Sequence, residues 1–306
     1  MSNSATATKH KSSRRKGWWT FLALVMIAVG IFLIWKRLHP GPPKIPFAPY
    51  GEDYSSKPDF AEVEYRFPLS AEQRMGLTPE ILKSYDQEQI EQIYARLTAG
   101  PIPDGVYNGD LFFPKGMSGR KRLGEVVGGL KGWAANFELD KLTLLGRALW
   151  KGKVFYRDQR VLRNRIDDLG FFDQFFPDSA DKAELQNLIT HPTPENQYFP
   201  AKLYCGQSLL DSRRESVIID YAFTDELPGY HKVPDKLAGR EFLVVRDEIR
   251  MVRPGFYLGR AYMAGSFILN FTLYKDDVAK AGSADFLKTN KTVEDCWTGL
   301  QRAAAP

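Results

Sequence analysis

Apolar and polar residues alternate along much of the second half of the chain, and this period of two predicts β-strands. The clearest runs are residues 216–223 and 267–274, in which every second residue is aliphatic or aromatic. Turn residues at hairpin spacing separate these runs from others at 153–156, 161–166, 198–205, 241–252 and 255–263. The pattern predicts about seven strands in an antiparallel sheet, either closed as a lipocalin-like barrel or packed as a sandwich.

A period of 3.6 predicts helices on either side of these strands. Thr78 is a suitable N-cap and Pro79 a suitable first residue for a helix over 80–97 that ends before Gly100. Helices are also predicted over 122–151 and 292–303, and a short strand follows the turn residues near 105. The expected fold class is α+β, mainly β, with flanking helices.

Residues 18–35 form an uninterrupted uncharged run with tryptophan at both ends, the pattern of one transmembrane helix. Five bases precede the run and Lys36 and Arg37 follow it, where a cleaved signal peptide would have a small-residue cleavage site. An uncleaved signal-anchor with a cytoplasmic N-terminus is therefore expected. The domain would then be periplasmic or extracellular, and the membrane would be the inner one in a Gram-negative host.

The chain accordingly divides into four predicted parts. Residues 1–17 form a basic tail, 18–35 the membrane helix, 36–60 a proline-rich stalk and 61–306 a globular β-rich domain. A hydrophobic fraction of 43% with 26% charged residues is that of a folded protein.

The net charge of +5 suggests nucleic-acid binding until the charges are located along the chain. Eight of the 42 Lys and Arg residues lie in residues 1–44, which contain no acid, so 34 bases face 37 acids in the rest. The basic cluster lies beside the apolar run, where it favours contact with anionic lipid. No nucleic-acid partner is expected.

The sequence contains no recognisable catalytic or metal-binding motif. Only His191 and His231 fall in the domain, so a His-rich zinc site is not expected, and no cofactor is assigned. Cys205 and Cys296 are the only cysteines. An oxidising compartment would permit them to form a disulfide, and two buried free thiols are the alternative.

Several polar residues interrupt the apolar strand runs and are candidate ligand-binding residues. A barrel interior that holds a ligand presents a few such groups among aromatic side chains, whereas the alternative is that they mark the solvent face of a half-buried sheet. Arg246, Glu248 and Arg250 share one strand face, where they could clamp an anionic group or form an ion-pair ladder. The candidates in the strands are Asn164, Arg246, Arg250, Arg260 and Asn270.

An acid-base reaction would need a different pair of residues. Asp220 could orient His231 as a general base, and these two are the candidate catalytic residues. No nucleophile is obvious.

Three segments resemble the lipocalin-like GxWxG proteins: the glycine-aromatic-glycine run at 105–109, the W-x-G-K-x-F segment at 150–155 and Asp220-Tyr-Ala. Tyr107 takes the place of the motif's tryptophan. The resemblance implies a calycin-type barrel with an interior pocket, to which Tyr107 would contribute, and no assigned activity. Residues 246–260 are also similar to a segment of uncharacterised bacterial membrane-anchored proteins.

These observations leave three functional hypotheses. The first is a membrane-anchored binding protein that holds a hydrophobic or amphipathic small molecule, such as a lipid, in the barrel. The second is an enzyme acting on such a ligand, with Asp220, His231 and the Arg246/Arg250 pair near the reacting group. The third is an envelope assembly factor that binds protein partners.

Overall fold

The computed structural model describes residues 12–38, 43–51, 56–116 and 149–299. Most of the helix predicted over 122–151 lies outside these residues, although Trp150 and Lys151 belong to a strand. Residues 292–299 are not helical, and the rest of the predicted 292–303 helix lies outside the described ranges.

Eight antiparallel strands form a closed barrel in which each strand pairs with its neighbours in the sequence and the last pairs with the first. The alternating runs are therefore confirmed as strands of a barrel, and the sandwich is excluded. The strands are β1 Gly105–Phe112, β2 Trp150–Tyr156, β3 Val161–Ile166, β4 Gln197–Gln207, β5 Glu215–Asp220, β6 Val245–Arg253, β7 Phe256–Met263 and β8 Ser266–Tyr274.

Eight α-helices lie entirely within the described part of the chain, together with four short 3₁₀ helices. The expected helix over 80–97 is two helices, because the Asp86 side chain accepts from the Gln89 backbone N–H and starts a new capped helix there. The helices are α1 Ser12–Leu38, α2 Phe60–Arg66, α3 Ala71–Gly76, α4 Pro79–Ser84, α5 Gln87–Ala95, α6 Ser179–Thr190, α7 Lys232–Asp235 and α8 Asp276–Thr289.

The helical segment before the barrel packs on the outside of the sheet. Ile93 and Tyr94 of α5 share a second hydrophobic core with Val252 and Leu258, which point outward from β6 and β7. Part of the predicted stalk also belongs to this layer, since the Gln92 side chain exchanges two hydrogen bonds with the backbone of Ala48. The described residues from 44 onward form one compact unit.

The N-terminal unit, residues 1–43, contains α1. Large apolar side chains of this helix are exposed, among them Trp18, Phe21, Ile27 and Trp35. Over the residues that the structure describes, no helix is both long enough and apolar enough to cross a membrane.

The barrel has two distinct ends, which we call the mouth and the base. The base is the end at which β1 starts and β2 finishes, and two segments close it. Residues 97–102 bridge to β6 through Thr98 and Met251. The segment 291–299 adds Glu294, whose carboxylate accepts from the Thr98 hydroxyl and the Gly100 N–H.

A disulfide fixes this closing segment to the barrel. Cys205 in β4 and Cys296 are bonded, with their Cα atoms 5.4 Å apart and 91 residues of separation. Of the two alternatives that the sequence left open, the pair forms the disulfide.

We expect the C205A/C296A double variant to lose about 2–4 kcal/mol of unfolding free energy, because the disulfide removes the entropy of a long loop from the unfolded chain. Urea denaturation of the full chain in mild detergent measures this. Dithiothreitol should produce the same loss in the unsubstituted chain and none in the double variant. Equal stability of the two oxidised proteins would contradict the prediction.

Candidate functional site at the barrel mouth

Two charged residues face each other across the barrel interior, in the half nearer the mouth. Lys153 belongs to β2 and Asp247 to β6, four strands away in either direction around the eight-stranded barrel. The Lys153 Nζ lies 3.0 Å from the Asp247 Oδ2, and the two residues are 3% and 4% exposed. The pair therefore spans the interior as a buried ion pair.

Two polar side chains complete this cluster. The Lys153 ammonium donates to the Asn164 Oδ1 at 2.8 Å and to the Tyr221 hydroxyl at 2.6 Å, as well as to Asp247. The Asn164 amide nitrogen donates to the same tyrosine hydroxyl, at 2.9 Å. An ammonium has three N–H donors, so all three are used. We call Lys153, Asn164, Tyr221 and Asp247 the mouth cluster.

Aromatic rings surround the ammonium. The Lys153 Nζ lies 5.4 Å from the ring centroid of Trp150 and 5.3 Å from that of Phe271, distances at which a ring face attracts a cation. The Trp150 indole N–H also donates to the Asn164 Oδ1, at 3.0 Å. These rings form the apolar lining around the cluster.

Two glycines leave room for the rings on the inner face. A Cβ at Gly109 would lie 2.4 Å from the Trp150 ring, and one at Gly259 would lie 2.2 Å from the Phe271 ring. Both distances are far inside van der Waals contact. The second glycine of the 105–109 motif is thus required by the packing of Trp150.

Burial controls the ionisation of the cluster. It lowers the pKa of Lys153 and raises the pKa of Asp247, because each charged form has lost its water. The charge of Asp247 raises the pKa of Lys153, and the charge of Lys153 lowers the pKa of Asp247, so each opposes the effect of burial on the other. Across the sheet, Glu248 adds to the upward shift of the Asp247 pKa.

A groove lies at the mouth end of β3 and β4, and none of the four mouth-cluster residues lines it. Its volume is about 180 Å³, and Ile166 and Tyr198 line it from the barrel while Leu188 lines it from α6. Partly buried apolar side chains pack against the core around this half of the barrel, among them Phe113, Trp150, Phe172, Phe175, Val245 and Leu269.

The predicted ligand-binding residues divide between the two faces of the barrel. Tyr107 and Asn164 face the interior, where the Tyr107 ring lies edge-on to Phe155 and Tyr257. Arg250 lies on the outer face, with five donor contacts that include Asp211 and the Ser216 hydroxyl.

Arg260 and Asn270 are cross-strand partners on the same outer face, beneath α5. The Arg260 guanidinium donates to Glu91, and the Asn270 amide donates to Gln87. Arg246 lies further along this face and donates to the Gln207 carbonyl. Arg246, Arg250, Arg260 and Asn270 therefore do not point into the barrel. A helical layer covers their face, so that Arg250, Arg260 and Asn270 are also shielded from solvent and Arg246 is half-buried.

The structure does not bring the predicted catalytic pair together. The Asp220 carboxylate, on the outer face of β5, accepts from the Tyr204 hydroxyl and the Ala222 N–H. His231 stacks edge-on against Tyr198, and burial lowers its pKa. No hydrogen bond joins Asp220 to His231 in the described chain.

The described residues contain one group with metal-ligand spacing, formed by Cys205, Glu215 and Cys296 at the base. Both sulfur atoms are bonded to each other and are not available as thiolates.

Sequence reasoning missed Lys153, Asp247 and Tyr221. A signal was present, because Asp247 has the same phase as Val245 and Ile249 and so interrupts the apolar inner face of β6. Arg246, Glu248 and Arg250 occupy the alternate positions of the same strand, and these three charged residues were interpreted as the candidate binding face instead.

No protein-family model matches the chain, and neither a curated protein nor a solved structure does. The resemblance to lipocalin-like GxWxG proteins therefore rests on the short motifs and on the closed barrel.

We expect K153M and D247L each to destabilise the fold by about 3–5 kcal/mol, because either change leaves one buried charge without its partner. The K153M/D247L double variant should lie close to the unsubstituted chain in stability, since apolar groups of similar size replace both charges. Urea denaturation of all four proteins gives the double-mutant cycle. Additive losses in the double variant would show that the two residues are not coupled.

A second buried carboxylate at the mouth provides a test by pH. Asp235 accepts from the Phe199 N–H at 2.7 Å and the His231 N–H at 2.8 Å, and burial raises its pKa to about 7. Its folded pKa lies above the ordinary value of 3.8, so its contribution to stability is complete below that value and is lost as pH rises through 7. His231 acts in the opposite direction, because its pKa is lowered.

We therefore expect the stability of the unsubstituted chain, relative to D235N, to fall between pH 5 and pH 8. The comparison at each pH removes the effect of His231, which both proteins retain. Urea denaturation at four pH values measures it, and a constant difference would contradict the assignment.

Proposed function

We propose that this chain is a membrane-tethered binding protein that holds a small amphipathic molecule at the mouth of its barrel. The observation that carries the proposal is the mouth cluster, a polar group with no net charge set among aromatic rings. Sites for small molecules combine such an apolar lining with a few well-placed polar groups that fix the orientation of the ligand.

The proposal places entry of the ligand at the mouth, where Phe176, Leu185 and Leu237 of the β3–β4 and β5–β6 connections also pack against the core. At the base, the disulfide-linked segment and residues 97–102 cover the strands. The Lys153–Asp247 pair then crosses the interior, so that a ligand entering from the mouth meets this pair before it reaches the base. A shallow site follows, in which the polar end of the ligand lies against the cluster and its apolar part lies among the aromatic side chains.

The proposed tether is the apolar run of residues 18–35, within α1, whose large side chains are exposed. A tether would hold the domain near a supply of amphipathic molecules and raise their effective concentration. On this proposal the N-terminus is cytoplasmic and the domain lies beyond the membrane.

Native mass spectrometry of the full chain in mild detergent, with organic extraction of the same sample, tests the proposal. We expect a co-purified small molecule at close to one per chain. The K153M/D247L variant should be folded and lack this molecule, because the polar contacts of its site are gone. K202M is the matched control, since Lys202 is an exposed lysine paired with Glu226 on the barrel exterior, and it should retain the ligand.

The opposite results are equally informative. An empty, folded chain would contradict tight binding and would favour the assembly-factor hypothesis. A ligand that persists in K153M/D247L would place the binding site elsewhere on the chain.

A further inference from the structure

We infer that the mouth site selects an amphipath whose polar end is an uncharged hydrogen-bond donor, such as an alcohol, rather than a carboxylate or a phosphate. This inference rests on the proposed function and specifies its ligand class.

The mouth cluster has no net charge. Lys153 and Asp247 are opposite charges 3.0 Å apart, and Asn164 and Tyr221 are neutral. An anionic head group would add a second negative charge to this buried site. Among the described residues, Lys153 is the cation that pairs with this cluster, and Arg246, Arg250 and Arg260 all lie on the outer face of the sheet. Burial of an unpaired charge costs several kcal/mol.

The Lys153 ammonium has no N–H donor left for a ligand. The three donors of the Lys153 ammonium are taken by Asn164, Tyr221 and Asp247. A ligand carboxylate would therefore have to break one of these bonds to reach the ammonium. An anion is disfavoured by its charge and also by the lack of a free N–H group on Lys153.

The remaining hydrogen-bonding capacity of the cluster is an acceptor. All hydrogen bonds to the Asp247 carboxylate from the described residues end on Oδ2, from Lys153 and from the Tyr221 hydroxyl. The other oxygen, Oδ1, accepts no hydrogen bond from the described residues. It is not one of the fully buried polar atoms that lack a partner. A carboxylate oxygen with spare capacity accepts from a hydroxyl and repels an anion. The geometry thus points to a ligand O–H that donates to the Asp247 Oδ1.

A matched set of ligands separates these possibilities. Equilibrium dialysis of the full chain in mild detergent, with protein-free detergent as the blank, compares 1-decanol, decanoate and decyl methyl ether at pH 8. The three probes share one alkyl chain and differ in whether the end is a neutral donor, an anion or a neutral acceptor. K153M/D247L subtracts binding outside the mouth cluster.

We expect 1-decanol to bind the unsubstituted chain at least about tenfold more tightly than either of the other probes, because a hydrogen bond to a charged group is worth about that much. In D247N the lysine has no counter-charge, so the preference should change in favour of decanoate. If D247N does not fold, the comparison on the unsubstituted chain still decides the question.

The outcomes distinguish this inference from the function on which it rests. Decanoate binding that equals or exceeds that of decanol, and that is lost in K153M/D247L, would overturn the neutral-ligand inference and leave the binding function intact. Equal binding of the ether and the alcohol would overturn the role of Asp247 as acceptor. Absence of binding by all three probes, together with an empty chain in native mass spectrometry, would overturn both.

Discussion

One ion pair joins opposite sides of the barrel, and the character of the interior depends on it. Lys153 reaches from β2 to Asp247 on β6, and no hydrogen-bonded ladder connects those two strands directly. Because both charges are buried, each stabilises the charged form of the other against the loss of water. The pair divides the interior into a base half filled by side chains such as Tyr107 and Tyr257 and a mouth half that retains polar groups.

Strand β6 is buried on both of its faces, and this explains the second set of charges. Asp247 points inward, while Glu248 and Arg250 point outward beneath the helical layer and are fully buried. Glu248 accepts from the Leu209 N–H, and Arg250 donates to Asp211, so each outward charge has a partner in the structure packed over it. Breaking such a contact would leave a buried charge unpaired. We therefore assign the outer network to the attachment of α5 and the 208–214 loop, whereas the inner cluster contacts no residue of that layer.

The strands, and the side chains that share each face of a strand, could be predicted from the sequence, because period-two alternation is a local property. It could not show which face a helix would cover, since α5 meets β6 and β7 about 150 residues or more away in the chain. The polar residues Arg250, Arg260 and Asn270 were therefore placed in a pocket or in solvent, and they lie in neither. A β-bulge also interrupts the period of two in β8. The extra residue, Ile268, moves Phe267 to the outer face, where its ring centroid lies 4.0 Å from the Cζ of Arg260. Helices α6 and α8 were missed because each buries only two apolar residues, Leu185 and Leu188 in α6 and Ala279 and Phe286 in α8.

The mouth cluster was hidden for a further reason. Lys153 and Asp247 are 94 residues apart, and each alone resembles an ordinary polar residue of a half-buried strand. Only closure of the barrel makes them partners, since it turns both side chains toward one axis. Closure also sets what the site can hold. A lone lysine in a β-barrel would attract carboxylates, but a lysine already neutralised by an aspartate across the same interior leaves an acceptor as the available group. The selectivity that we infer thus follows from the eight-strand topology, which places the two charges opposite each other, and not from either residue alone.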